Sequence, residues 1–448
     1  MKKSLCVFLF GIIIGLSSCA KVEQTSVVLV HPEEETDKPC PTSCAVEATT
    51  GSDVSIIDKG RYYQVVLDYE HGGTPCQIGE AYGQAIIRAV PDFEKNVDSY
   101  LAEIACLNGS DAYCELIRRA QQLKQNIPQE YREEIEALAK AFSGGTTNQK
   151  GDGKLSVDEI YLMSLVPDVA RAHQCSVLSV FGPRSTTGKT ITGRVLDWPS
   201  GSNHQVEKLQ AVIVIRNFEK SICLIGYVGL LGCISGFNND HIFAAILDSP
   251  TGEPFSIENK RSYTFDLRYA LENQNTLSKV AGFMADPKRN YTFNHLIVLS
   301  DAKRSGILEN NISGKGKDIR RALREDNSPL NNGIEWNFPN AVCAVNAFML
   351  KGNHDNFTGV PSNVERWNNF KSELRDAGET VSAEQLKQIV SFYPGADPAS
   401  SKGGNIYNCY TQQIIIYQPA TDELEIFFRP RNGELPVRPV FEKVNVDF

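Results

Sequence analysis

At residue 175 the periodicity of the chain changes. From about Gly79 to Phe142 apolar residues recur at helical spacing, as in Ile86, Ile87, Val90, Phe93, Val97, Leu101 and Ile104. Pro91 and Pro128 mark helix breaks or starts. A further helix begins at Ser156, which caps it with Glu159 at the reciprocal position, and runs through Ile160, Leu162, Met163 and Leu165 to a break near Pro167. After Cys175 the pattern is one of strands. A strand-like run at Tyr62 to Tyr69 precedes the helices. Ser176 to Phe181, Thr190 to Trp198, Leu209 to Phe218, Ile222 to Val228 and Ile242 to Leu247 are β-rich and bounded by Gly, Ser, Thr or Asn. Helical stretches near 264–273 and 276–285 come next, then strands at 293–299, 305–309 and 341–348. Helices near 363–375 and 382–392 precede two last strands, Gln413 to Gln418 and Glu423 to Phe428. Strands in runs, interrupted by paired helices, predict an α+β architecture with sheets packed together and helices outside.

The ends and the bulk composition bound the function. Lys2 and Lys3 precede an apolar run from Cys6 to Leu16, too short to span a bilayer as a mature helix. The sequence Leu16-Ser17-Ser18-Cys19 resembles a bacterial lipobox. That resemblance implies lipidation of Cys19 and an exported lipoprotein on the periplasmic or cell-surface side; Ala20 favours the outer membrane. An ordinary cleaved signal with a chance cysteine is the alternative. Residues 20–58 are polar, with the acidic run Glu33-Glu34-Glu35, and read as a tether. The expected organisation is a signal peptide over 1–19, a tether over 20–58, a helical pro-region over 59–174 and a catalytic part over 175–448. A net charge of −9 without a dense basic run argues against nucleic acid as a partner. An apolar fraction of 42% is that of a packed globular protein.

Cysteines and one loop invite metal readings. Apart from Cys6, Cys19 and Cys175, the cysteines stand at 40, 44, 76, 106, 114, 223, 233, 343 and 409. Cys40 with Cys44 and Cys106 with Cys114 are local disulfide candidates, and an odd count leaves at least one free. No paired CxxC or His pair stands at zinc spacing. Asn148 to Glu159 partly fits a calcium loop, through Asp152, Gly153, Leu155 and Glu159. Lys150, however, puts a cation where an oxygen ligand belongs. The loop therefore reads as a helix cap, and neither a metal nor a cofactor is expected.

The chemistry concentrates in His173 to Trp198. This segment reads as a strand, a turn through Ser185 to Lys189, and a returning antiparallel strand that brings Arg194 and Asp197 back to Cys175. A thiol becomes a strong nucleophile as its thiolate, which nearby positive charge favours. If Cys175 begins a chain, its α-amine, with an ordinary pKa of about 8, can act as base. Asp197 would orient that amine. Arg194 would stabilise the thiolate or bind a substrate carbonyl or carboxylate. Attack of the same thiol on the Gln174 carbonyl would free the new N-terminus. A core cysteine and a surface cross-strand salt bridge are the plainer readings of these three residues.

The Cys-Ser start followed by a Gly-Arg-x-x-Asp-Trp strand resembles the cysteine N-terminal-nucleophile (Ntn) hydrolases, over roughly residues 60 to 445. The closest likeness is to the acyl-CoA:6-aminopenicillanic acid acyltransferase-like group. Choloylglycine (bile-salt) hydrolases, acid ceramidase and N-acylethanolamine acid amidase are more distant. The resemblance implies a four-layer αββα sandwich behind a helical pro-region, autoproteolysis at Gln174-Cys175, and cleavage or transfer of the acyl group of a linear amide through an acyl-cysteine. Its substrate would be a small N-acyl compound. Asn346, in Ala344-Val345-Asn346-Ala347-Phe348, matches an oxyanion-hole Asn; its plainer reading is a strand-end turn residue. Arg366 matches an Arg in a Ser-x-x-x-Arg helix start and could otherwise be a solvated helix charge. Asn238, in a small-Gly-x-Asn-x-x turn, and Trp198, at the pocket wall, are implied substrate contacts. Asp248 stands where bile-salt hydrolases carry an oxyanion-hole Asn, and a carboxylate cannot do the work of that amide. Gln174 also departs from the Gly that several relatives carry. A catalytically decayed surface lipoprotein binding a small ligand is the competing reading. His173 reads as a helix-end residue.

Overall fold

Two sheets, back to back, organise the strand-rich half of the chain and draw in part of the segment before Cys175. The computed structural model describes residues 53–107, 112–170, 174–251, 256, 258–312, 320–400 and 403–448. Cys19, Cys40, Cys44, His173 and nearly all of the expected tether lie outside the described residues. In chain order the elements are β1 (Val54–Asp58), β2 (Tyr63–Asp68), α1 (Pro75–Ala89), α2 (Phe93–Leu107), α3 (Ala112–Lys124), α4 (Gln129–Ala139) and α5 (Val157–Val169). Then follow β3 (Gln174–Val180), β4 (Ile191–Asp197), β5 (Gln210–Arg216), β6 (Ile222–Tyr227), β7 (Ser235–Asn238) and β8 (Phe243–Asp248). After them come α6 (Tyr263–Asn273), α7 (Leu277–Ala285), β9 (His295–Ser300), β10 (Ser305–Asn310), β11 (Arg321–Arg324) and β12 (Ala341–Ala344). Last are α8 (Pro361–Asp376), α9 (Ala383–Val390), β13 (Thr411–Gln418), β14 (Glu423–Phe428) and β15 (Glu442–Val444).

The larger sheet has the order β1-β2-β5-β6-β7-β8-β9-β10-β11 and the smaller β12-β3-β4-β13-β14-β15. Side chains alternate across a strand, so each strand of the smaller sheet must feed two cores. Val177, Leu196 and Ile415 enter the core between the sheets. Leu178, Val195, Ile414 and Ile416 enter a second core with Trp367 and Phe370 of α8 and Leu386, Ile389 and Val390 of α9. Phe237 of β7 and Tyr417 of β13 stack across the sheets at 4.4 Å. On the far side, α6 and α7 cover the larger sheet. The α+β class read from the sequence is thus the class of the structure, with helices outside two packed sheets. Gly193 in β4 explains itself here: a Cβ would lie 2.7 Å from Val390 Cγ1, so a side chain there would crowd Val390 and Leu386 of α9.

Three local expectations change. Val54–Asp58, counted in the tether, is the edge strand β1 and pairs with β2. Only Val54 of that strand is buried, which is why its sequence looks like a linker. Pro167 lies inside α5 rather than ending it; it stands in the last turn, where little helix remains to be disrupted. Residues 345–348, expected as the end of a strand, lie beyond β12, because the chain turns away there to deliver Asn346.

Side chains tie down the calcium-like loop. Asp98 of α2 accepts the Gly151 and Gly153 N–H groups at 2.8 and 2.7 Å. Ser156 and Glu159 form the predicted capping box, and Glu159 also accepts from Tyr113. Cys106 and Cys114 are free thiols. Among the described residues no helix is long and apolar enough to cross a membrane.

Candidate active site

Cys175 is the second residue of β3, and β4 returns beside it in the expected antiparallel register. Gln174 pairs with Asp197, Cys175 with Leu196 and Val177 with Arg194. Cys175 is buried, with 1% of its surface exposed. The Arg194 Nη2 group stands 3.5 Å from its Sγ and also donates to the Ile246 carbonyl at 3.2 Å. The remaining Arg194 donors, Nε and Nη1, are buried without a hydrogen-bond partner among the described residues.

The backbone of Cys175 is gripped on both sides. Its N–H donates to Asn346 Oδ1 at 2.8 Å, and its carbonyl accepts from Arg366 Nη1 at 2.6 Å. Arg366 Nη2 donates to Asn346 Oδ1 and to Asn363 Oδ1, both at 2.8 Å. Asn346 Nδ2 donates to the Asp248 carbonyl at 2.8 Å. Part of the amide expected to face an oxyanion is therefore spent in fixing the loop, and its oxygen holds the nitrogen of Cys175. Arg366 is buried in α8 and binds inside the site, not solvent.

Asp197 sits at the end of β4, where Thr411 faces it across a register shift between Thr411 and Gln413. Such bulges re-aim side chains beside active sites. Thr411 Oγ1 donates to Asp197 Oδ1 at 2.8 Å and Asn408 Nδ2 to Oδ2 at 2.9 Å. Burial pushes the Asp197 carboxyl up to about 6, against the pull of Arg366, Asn408, Thr411 and Arg194. Burial also raises the Cys175 thiol, opposed first by Arg194. In the uncut chain desolvation thus outweighs the positive charge that was expected to lower it.

Trp198, next to Asp197 in the chain, lines an apolar cavity of about 60 Å³ shared with the helices that precede Cys175. Val97 and Leu101 of α2, Met163 and Val166 of α5, and Tyr227 of β6 complete its walls. Asn238 lies elsewhere in function: its amide donates to the Leu271 and Gln274 carbonyls and accepts from Asp240 and Ile242 N–H groups. These bonds staple the β7–β8 turn to the end of α6. Asp248 ends β8 and is buried. No pattern along the chain pointed to Asn408, Thr411, Asn363 or Tyr227; the first two act on Asp197 from 211 and 214 residues away.

No family model and no curated protein matches the chain. Solved structures do match. An N-acylethanolamine-hydrolyzing acid amidase ortholog of Caenorhabditis elegans is 15% identical, with 55% of this chain and 93% of that one covered, at a TM-score of 0.36. A mutant conjugated bile acid hydrolase from Clostridium perfringens is 11% identical, with 61% and 97% covered, at 0.35. Penicillin V acylase from Agrobacterium tumefaciens is 12% identical, with 57% and 83% covered, at 0.32. All three are cysteine Ntn hydrolases of the choloylglycine hydrolase-like superfamily. At such identities and TM-scores the functional reading has to stand on the chain's own residues.

Proposed function

We propose that the chain is a self-processed cysteine amidohydrolase or acyltransferase acting on a linear N-acyl amide. The observation that carries this reading is the double grip on Cys175. Asn346 holds its nitrogen and Arg366 its carbonyl, while Arg194 faces the thiol and Asp197 stands across the Gln174 bond. Such a grip on the main chain suits a residue whose nitrogen becomes a catalytic group. Attack of Sγ on the Gln174 carbonyl would break the Gln174–Cys175 C–N bond; after water cleaves the resulting thioester, the freed α-amine would remain on Asn346 Oδ1 and take the thiol proton. The thiolate would attack the substrate carbonyl, and the protonated amine would return its proton to the leaving amine. The apolar cavity beside Trp198 would take the acyl group. Lipidation at Cys19 would hold the enzyme at a membrane surface on the exported side.

Denaturing electrophoresis with N-terminal sequencing tests the self-processing. Wild type should give two fragments, one beginning at Cys175, and Cys175→Ala should stay whole. A wild type that stays whole, yet is intact and folded, would count against the proposal.

A further inference from the structure

Among the described residues, Asp248 leaves the site short of one side-chain donor, and Tyr227 carries one that nothing else uses. Tyr227 is the last residue of β6 and lines the apolar cavity together with Trp198. Its hydroxyl oxygen is buried and has no hydrogen-bond partner among the described residues. A buried hydroxyl without a partner costs stability, so its presence calls for a reason. Its position gives one. Gln413 Nε2 donates to the carbonyl of the neighbouring Gly226 at 3.2 Å, and Gln413 pairs with Leu196, which pairs with Cys175. The end of β6 is thus tied to the sheet that carries the nucleophile, and Tyr100, Glu207, Arg194 and Cys175 all lie within electrostatic range of the Tyr227 hydroxyl. The unpaired Nε and Nη1 of Arg194 belong to the same buried neighbourhood.

We propose that the Tyr227 hydroxyl is a catalytic hydrogen-bond donor to the oxygen of the substrate's acyl carbonyl, supplying the donor that Asp248 cannot. This rests on the acyl-transfer reading above. With the acyl chain against Tyr227 and Trp198, the carbonyl would lie on the Cys175 side of the cavity. When the Cys175 sulfur bonds to the carbonyl carbon, the π pair moves to oxygen and meets the Tyr227 O–H, which keeps its proton. When the pair returns, the C–N bond breaks and the leaving amine takes the proton held by the Cys175 α-amine. Burial raises the phenol well above its ordinary range, so it stays protonated throughout the working pH.

The test compares cut wild type with Tyr227→Phe, using 4-nitroanilides of short straight-chain acids for turnover and iodoacetamide for thiol reactivity. Alkylation forms no oxyanion and so reports the thiol alone. The expected result is a fall in kcat of about 100-fold, the scale of losing one oxyanion donor. KM, the alkylation rate and self-cutting should be unchanged, and the melting temperature equal or higher. Wild-type turnover in Tyr227→Phe overturns the assignment. So does a parallel fall in alkylation, which would mean a misplaced thiol, and so does a variant that stays uncut. A wild type that alkylates at Cys175 but turns over no anilide overturns the acyl-transfer reading itself, and this assignment with it.

Discussion

Two buried arginines of this chain do opposite things. Arg268 of α6 donates to Glu134 of α4 at 2.6 Å and to Glu272 at 2.9 Å. It also lies over the ring of Tyr131, 4.4 Å from its centroid. Its charge is matched, and Tyr69 completes the cluster by donating to Glu134 at 2.7 Å. Arg194 is as deeply buried, yet among the described residues its hydrogen bonds go to a thiol and a carbonyl and two donors are left unpaired. A buried ion pair is a structural joint, here between the segment before Cys175 and the part after it. A buried cation with spare donors is costly for the fold and useful only when something else brings the missing acceptor. The difference separates a joint that satisfies itself from a cation that, in the proposed function, meets its acceptor in a substrate.

Removing one carboxylate should break the comparison most visibly. Glu134→Ala leaves Arg268 buried beside a lost partner and should cost about 3–5 kcal/mol. Urea unfolding measures this, and turnover per folded molecule should persist. Arg194→Gln should behave in the reverse way: turnover falling about 10²–10³-fold, with no loss of urea midpoint. Equal destabilisation by both substitutions would erase the distinction.

A smaller effect concerns Asp197, whose carboxyl is pushed up to about 6. If the ionised form orients the Cys175 amine, kcat/KM should rise with pH through about 6, and Asp197→Asn should remove that limb. The sign for stability is opposite. A folded-state pKa raised above the unfolded value favours folding at pH below about 4, and that contribution is lost as pH rises through about 6. Chemical denaturation at a series of pH values reads this directly. The smallest effect belongs to the loop before α5. Ser156→Ala should cost about 1 kcal/mol as a lost cap, and added calcium should leave the melting temperature of wild type unchanged.

How far the sequence reached follows from how far apart the partners lie. Cys175, Arg194 and Asp197 share one hairpin, so strand periodicity alone brings them together. Asn346 and Arg366 come from distant elements and were legible only through resemblance; the structure brings both to Cys175. The turn motif around Asn238 gave no hint that its amide binds four backbone groups. β1 was hidden because an edge strand exposes one face and reads as a tether. Tyr227 could not be found at all, because an unpartnered hydroxyl is a property of three-dimensional packing and leaves no pattern along the chain.

The central claim is that Cys175 is an N-terminal nucleophile that carries the acyl group. Mass spectrometry of the protein quenched during turnover of a 4-nitroanilide tests it most directly. The account predicts that the peptide beginning at Cys175 gains the mass of the acyl group on sulfur. An acyl group on any other residue, or none during measurable turnover, would contradict it.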